Sequence, residues 1–257
     1  MKFPNLKSDT RFLELVTDVF EKIEREQIDN ILKAADVCSD AIAKGKLVHA
    51  MGTGGHTNLP MQEMFLRAGG FACLDGILDV GFSHYAGGLR AFACERTVGY
   101  AVGTLKTGGF RFEKGEPIII FNNIGVNAAT IDAALTSKEL GLVVIAVSSR
   151  DWQEKVPKDH HSRHPSRKNL FDIADICIDD YNPYGDACLE IEGCEAPMGS
   201  ASSMADFYIA HRIQIETAKK LAARGIAPPV YKSGNIPGGY EYDEKLFKKY
   251  EGRIRYL

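Results

Sequence analysis

Across residues 9–43 apolar side chains return every three or four positions, at Phe12, Leu15, Val16, Val19, Phe20, Ile23, Ile28, Ile31, Leu32, Ala35 and Ile42, with no glycine or proline between them. That period predicts one long amphipathic helix, or two in succession. Gly45 is placed to end it. The pattern then changes to short, largely apolar runs at 46–51, 71–74, 118–121, 142–147 and 176–178. Runs of this length, bounded by turn residues and joined by helical segments, predict parallel strands covered on both faces. Helices are expected over 60–68, 89–100, 128–140, 204–224 and 243–250, with loops at 81–88, 110–116 and 151–169. No internal repeat or low-complexity segment interrupts the order.

Two of the strands run into polar, glycine-bearing turns that open helices. The first is Gly52-Thr53-Gly54-Gly55-His56-Thr57-Asn58 and the second Asn122-Asn123-Ile124-Gly125-Val126-Asn127. A turn of this kind brings backbone close to a ligand and aims free N–H groups and a helix dipole at it, which suits an anion such as phosphate. One such turn can equally just reverse the chain. Two of them on the same edge of an open parallel sheet can face a single ligand. The first turn lacks the third glycine of G-x-G-x-x-G, which disfavours a dinucleotide.

Composition narrows the class. The 257 residues are 45% hydrophobic and 25% charged, enough for an ordinary buried core. A net charge of -3 offers no electrostatic footprint for nucleic acid, and no basic amphipathic stretch points to a membrane surface. The N-terminus has no apolar signal-peptide core and no run reaches membrane-spanning length, so a cytoplasmic protein is expected. Six cysteines at irregular spacing, without a C-x-x-C pair, read as reduced thiols, with Cys194 in an exposed loop. The apolar surplus of the N-terminal helical arm points to a homo-oligomer.

The order of helical arm, strand, glycine turn, helix, strand, polar turn, helix, strand resembles a SIS (sugar isomerase) domain protein. The runs Gly52-Thr53-Gly54, Glu63-Met64-Phe65-Leu66-Arg67-Ala68-Gly69-Gly70, Ser162-Arg163-His164-Pro165-Ser166, Gly185-Asp186-Ala187 and Pro228-Pro229-Val230-Tyr231-Lys232-Ser233-Gly234-Asn235 carry the resemblance over nearly the whole chain. They are similar to a bacterial subgroup of single-domain SIS proteins distantly like phosphoheptose isomerase. The resemblance implies a three-layer α/β/α sandwich with a five-stranded parallel, flavodoxin-like sheet. It implies one domain over 1–257, divided into an arm (1–45), an α/β core (46–224) and a tail (225–257), assembled as a homodimer or homotetramer. It also implies a sugar-phosphate ligand gripped by Gly52, Thr53, Gly54, Gly55 and Thr57 on one side and Asn122, Asn123, Gly125 and Asn127 on the other. The family's second turn normally carries serine at the positions of Asn122 and Ile124. An amide can still donate there, whereas the Ile124 side chain cannot.

Aldose–ketose isomerisation needs a carboxylate or histidine to move a proton between neighbouring carbons. Glu63 is the first candidate, about 9 Å along its helix from Thr57 at 1.5 Å per residue. A solvated glutamate early in a helix would give the same sequence. Glu95 is the reserve, with an ion pair to Arg96 as the bland alternative. For ring opening the candidates are His56, His84 and His164. His160 and His164 would share a helix face and could bind metal, but Pro157 and Pro165 favour loop, and neither metal nor cofactor is expected. Asp186 follows the fifth strand, Ser200, Ser202 and Ser203 precede a long helix as a third anion site or a cap, and Asn235 sits in a glycine-rich tail. Each could touch a sugar or merely shape a turn. The expected activity is isomerisation of a sugar phosphate. The alternatives are a sensor that binds without turnover, and a lyase or etherase on an amino-sugar phosphate.

Overall fold

A computed structural model describes residues 9–257. The N-terminal periodicity resolves into two helices, α1 (Arg11–Glu26) and α2 (Ile28–Ala43), broken at Gln27. Gln27 works as a joint between elements. Its side chain accepts from the Asp179 N–H at 3.2 Å and donates to the Tyr181 hydroxyl at 2.6 Å, tying the break to the far edge of the sheet.

Five parallel strands, β1 (Val48–Gly52), β2 (Leu74–Gly76), β3 (Pro117–Phe121), β4 (Val143–Ser148) and β5 (Ile176–Asp179), form one sheet in the order β2-β1-β3-β4-β5. Side chains alternate across it. Ala50, Ile119, Phe121, Ile145, Val147 and Ile178 face one buried layer, together with α2 and the long helix α8 (Ser202–Ala223). Met51, Ile118, Ile120, Val144 and Ala146 face the other, under α5 (Tyr100–Thr107) and α6 (Ala128–Glu139). The result is the expected three-layer α/β/α sandwich with a flavodoxin-like sheet and a leading pair of helices. The tail closes the first layer through Tyr231, Tyr250 and Ile254, the latter two at and just beyond α9 (Gly239–Tyr250).

Several expected elements differ, each for a tertiary reason. The helix expected over 60–68 is α3 (Asn58–Met64) and stops early. Beyond it the chain pairs with the tail: Gly69 N–H donates to Tyr231 O, Ala72 N–H to Pro229 O, and Tyr231 N–H to Gly70 O. The strand expected at 71–74 begins only at Leu74. The helix expected over 89–100 is split into α4 (Gly88–Cys94) and α5. Gly99, at φ +85°, makes the break, and its N–H is taken by Asp132 Oδ2 on α6 at 2.6 Å. A short hairpin of β6 (Ala187–Leu189) and β7 (Met198–Ser200) falls in a stretch expected to be loop. Ser200 therefore lies in a strand, and the residue capping α8 is Ala201, with no side-chain cap bond.

The histidine-rich segment folds as α7 (Arg150–Lys155) followed by turns. Arg163 anchors it, buried, donating to the carbonyls of Gln153, Val156 and Pro157 and to Asn169 Oδ1. His164 is held by Asp132 at 3.2 Å. Among the described residues no helix is long and apolar enough to cross a membrane.

Candidate functional site

β1 and β3 are direct neighbours, with Gly52 opposite Phe121, so the turns that follow them emerge side by side. Strand order reverses between these two strands, the place where open parallel sheets leave a crevice. A cavity of about 250 Å³ occupies it, lined by Gly55, His56, Thr57, His84, Gly88, Phe92, Glu95, Arg96, Asn122, Ile124 and Asn127. Both turns thus meet at one cavity, and of the five residues named for proton transfer or ring opening three line it: His56, His84 and Glu95.

The glycines of the first turn are there for close approach. A Cβ on Gly52 would lie 2.1 Å from the Thr57 carbonyl oxygen, so β1 passes against the start of α3 with no room for a side chain. A Cβ on Gly54 would lie 2.5 Å from Glu95 Oε2, and one on Gly55 would lie 1.9 Å from His84 Nε2. Residues 83–97 therefore fold back over the turn. They lay a carboxylate and an imidazole directly on bare backbone.

Glu95 is mostly buried and ion-paired with Arg96. Burial pushes its carboxyl above the usual range, even though Arg96 and the imidazoles of His56 and His84 pull the other way. A carboxyl moved toward neutrality is a better proton carrier than one at its ordinary value. Arg96 also lines the cavity, with its guanidinium over the Phe92 ring and one N–H on the Phe92 carbonyl at 2.9 Å. In the sequence it reads only as a partner for Glu95; the structure also gives it the position of an anion's counter-charge.

The second turn contributes unevenly. Asn122 Oδ1 accepts from Gly125 N–H at 2.7 Å and so shapes the turn. Gly125 sits at φ +65° against Ser148 and Gln153, where a side chain would be both strained and crowded. Asn127, at the head of α6, is fully buried, yet among the described residues neither its side-chain oxygen nor its side-chain nitrogen has a hydrogen-bond partner. A buried amide left bare costs stability, and a cavity wall is where a ligand would satisfy it.

Other expected contacts lie elsewhere. The Thr53 hydroxyl is buried and bonded to that of Thr130 at 2.7 Å, and Asn123 is buried behind the cavity wall. Asp186, Ser202 and Asn235 are outside the lining, and Asn235 belongs to a surface groove with Lys232 and Tyr240. Glu63 also stands apart, ion-paired with Arg67 and 3.1 Å from His211 Nε2 on α8. Burial alone would raise its carboxyl, but these two partners outweigh it and hold the group below the usual range. His211 carries no local sequence signal; only the packing of α3 on α8 brings it to Glu63.

Comparison with known proteins agrees with this architecture. The SIS domain profile matches residues 11–149. A UPF0309 protein of Caldanaerobacter subterraneus is 34% identical over 96% of this chain and 98% of its own length. One of Thermoanaerobacter pseudethanolicus is 35% identical over 95% and 99%. Among solved structures, a phosphoheptose isomerase from Neisseria gonorrhoeae superposes with a TM-score of 0.53 at 13% identity, covering 80% of this chain and 95% of that one. One from Francisella tularensis gives 0.51 at 13%, covering 81% and 95%.

Proposed function

Given that the chain belongs to the SIS domain family, we propose that it binds a sugar phosphate in the cavity between the two turns and isomerises it by proton transfer through Glu95. The observation that carries this reading is the convergence, in one cavity, of a carboxyl raised toward neutrality, a cation and a buried amide without a partner. At about 250 Å³ the cavity lies just below the range of about 300–1,000 Å³ for drug-sized ligands, which suits a small polar metabolite. Arg96, the Asn127 amide and the backbone of the first turn receive the anionic group. Glu95 takes a proton from the carbon beside the carbonyl and returns it to the former carbonyl carbon, while the hydroxyl proton moves between the two oxygens. His56, whose imidazole lines the same cavity, serves ring opening.

A second reading rests on Glu63 and His211, a carboxylate and an imidazole 3.1 Å apart. It is the weaker one, because Glu63 is held in the ionised range by its partners and does not line the cavity.

A thermal-shift screen against sugar phosphates and the matching free sugars tests the ligand class, since a ligand that binds only the folded state raises the melting temperature. Stabilisation by the phosphates alone is the expected result. The hit is then assayed for turnover. Glu95→Gln should abolish turnover while keeping the thermal shift, and Glu63→Gln should leave both near wild type. The reverse pattern moves the base to Glu63. Binding without turnover by the wild type makes the protein a sensor.

A further inference from the structure

Behind the cavity wall lies a buried polar cluster that the reaction above does not use. His56 Nε2 is 3.0 Å from Asn123 Oδ1. The Asn123 amide nitrogen is 2.7 Å from Asp180 Oδ2 and 3.0 Å from Asp206 Oδ2. Asn123 is 2% exposed, and Asp180 and Asp206 are both 0% exposed. These residues come from the ends of β3, β5 and the first turn of α8, so no sequence window contains them together.

The donor inventory orients the whole chain of contacts. A carboxylate can only accept, and a carboxyl carrying one proton still accepts through its carbonyl oxygen. The amide nitrogen has two hydrogens, and two acidic oxygens stand where those hydrogens point. The amide oxygen is therefore turned to His56, and an oxygen there can only accept. Hence His56 Nε2 carries the hydrogen. No described residue holds Nδ1, which remains the one basic ring atom that His56 can present to a ligand.

The cluster is braced as well. Asp180 Oδ1 accepts from Asn182 N–H at 2.8 Å, and the Asn123 carbonyl accepts from Ser149 N–H at 3.0 Å. Burial pushes both acids up; the charge of Asp180 raises Asp206 further, and those of Asp179 and Asp186 raise Asp180. The pair therefore retains a proton near neutrality, which limits the charge buried there.

We propose that Asn123, clamped between Asp180 and Asp206, is a positioning residue that fixes His56 as the Nε2–H tautomer and reserves Nδ1 for the sugar. The proposal takes the cavity as the ligand site, but its test needs no ligand, so it fails or stands separately from the isomerase reading.

The measurement is a long-range proton–nitrogen correlation spectrum of the unliganded, full-length protein labelled with ¹⁵N-histidine at pH 8, with the His56 signal identified by its loss in His56→Gln. The expected result is a protonated-type Nε2, an unprotonated-type Nδ1, and a slowly exchanging proton on Nε2. Asn123→Ala should abolish the slow exchange and leave the other histidines unmoved. An Nδ1–H tautomer in the wild type means that the amide is reversed, and it overturns the proposal. A fast-exchanging Nε2 proton in the wild type does the same, as does slow exchange that survives in Asn123→Ala. Should that variant fail to fold, the wild-type spectrum alone still decides.

Discussion

Gly52→Ala and Gly55→Ala are the same chemical change three residues apart, and the structure gives them opposite consequences. Neither glycine is at positive φ, so alanine is compatible with both backbones. At Gly52 the new methyl would meet the Thr57 carbonyl oxygen at 2.1 Å, Asn58 Cα at 2.4 Å and Asn58 N at 2.5 Å, all of them buried backbone. The end of β1 and the start of α3 must then separate by about an ångström, and overpacking of this kind costs about 3 kcal/mol, the upper part of its usual range. The reduced freedom of the unfolded chain returns about 0.4–1 kcal/mol. A net loss of about 2 kcal/mol lowers the melting temperature by about 4–8 °C in a chain of this size. At Gly55 the methyl would meet only the His84 ring, the end of an exposed side chain that can swing away. Gly55→Ala should therefore melt within about 2 °C of wild type, yet its thermal shift with the phosphate hit should fall because the methyl enters the cavity. Differential scanning calorimetry with and without ligand reads both quantities. Equal melting temperatures for the two variants, or a full ligand shift in Gly55→Ala, would refute the geometry from which the site is built.

Two more outcomes follow from buried polar groups. Asn127→Ala removes an amide that no described residue satisfies and that makes no cap bond, so the unliganded variant should melt at or above the wild-type temperature. The same change should weaken phosphate binding about tenfold or more by calorimetric titration, the loss of one hydrogen bond to a charged group. Unchanged affinity would remove Asn127 from the site. At the other end of the sheet, His49 lies fully buried, 2.9 Å from Glu116 and 3.3 Å from Asp75. Burial opposes its charge, but the two carboxylates outweigh burial and raise it above its ordinary value of 6.5. Its contribution to stability is thus fully present below pH 6.5 and is lost as pH rises through the folded-state value. Glu116 is lowered from 4.5, again against burial, so its contribution is present above that value and lost as pH falls through its own folded value. Urea unfolding should show stability declining as pH rises above 6.5, with a flatter slope in His49→Gln; parallel slopes would mean that the ring is neutral throughout.

The same physics divides what was legible in the chain. Four of the five strands are short, largely apolar runs, the two turns are sets of glycines and polar side chains beside them, and each helix of the arm keeps a 3.6-residue apolar period. These are local properties, set by backbone sterics and burial within a few residues, so the five-stranded sheet and both turns follow from the sequence. The Glu95 carboxylate over Gly54 is a different kind of fact. Some forty residues separate the two, and only the excursion of 83–97 back across the first turn brings them together. The distance of about 9 Å from Thr57 to Glu63 along one helix contains no information about which helices fold over which loops.

His211 beside Glu63, the amide of Asn123 between Asp180 and Asp206, and the break of a helix at Gly99 by Asp132 are likewise contacts between distant segments. By itself the sequence determined the strands of the sheet, the order of its elements and the two polar turns, because hydrophobic period and turn chemistry act locally. Only the tertiary structure decided which carboxyl, cation and amide share the cavity, because the pairing of β1 with β3 and the packing of the loops between strands set those distances.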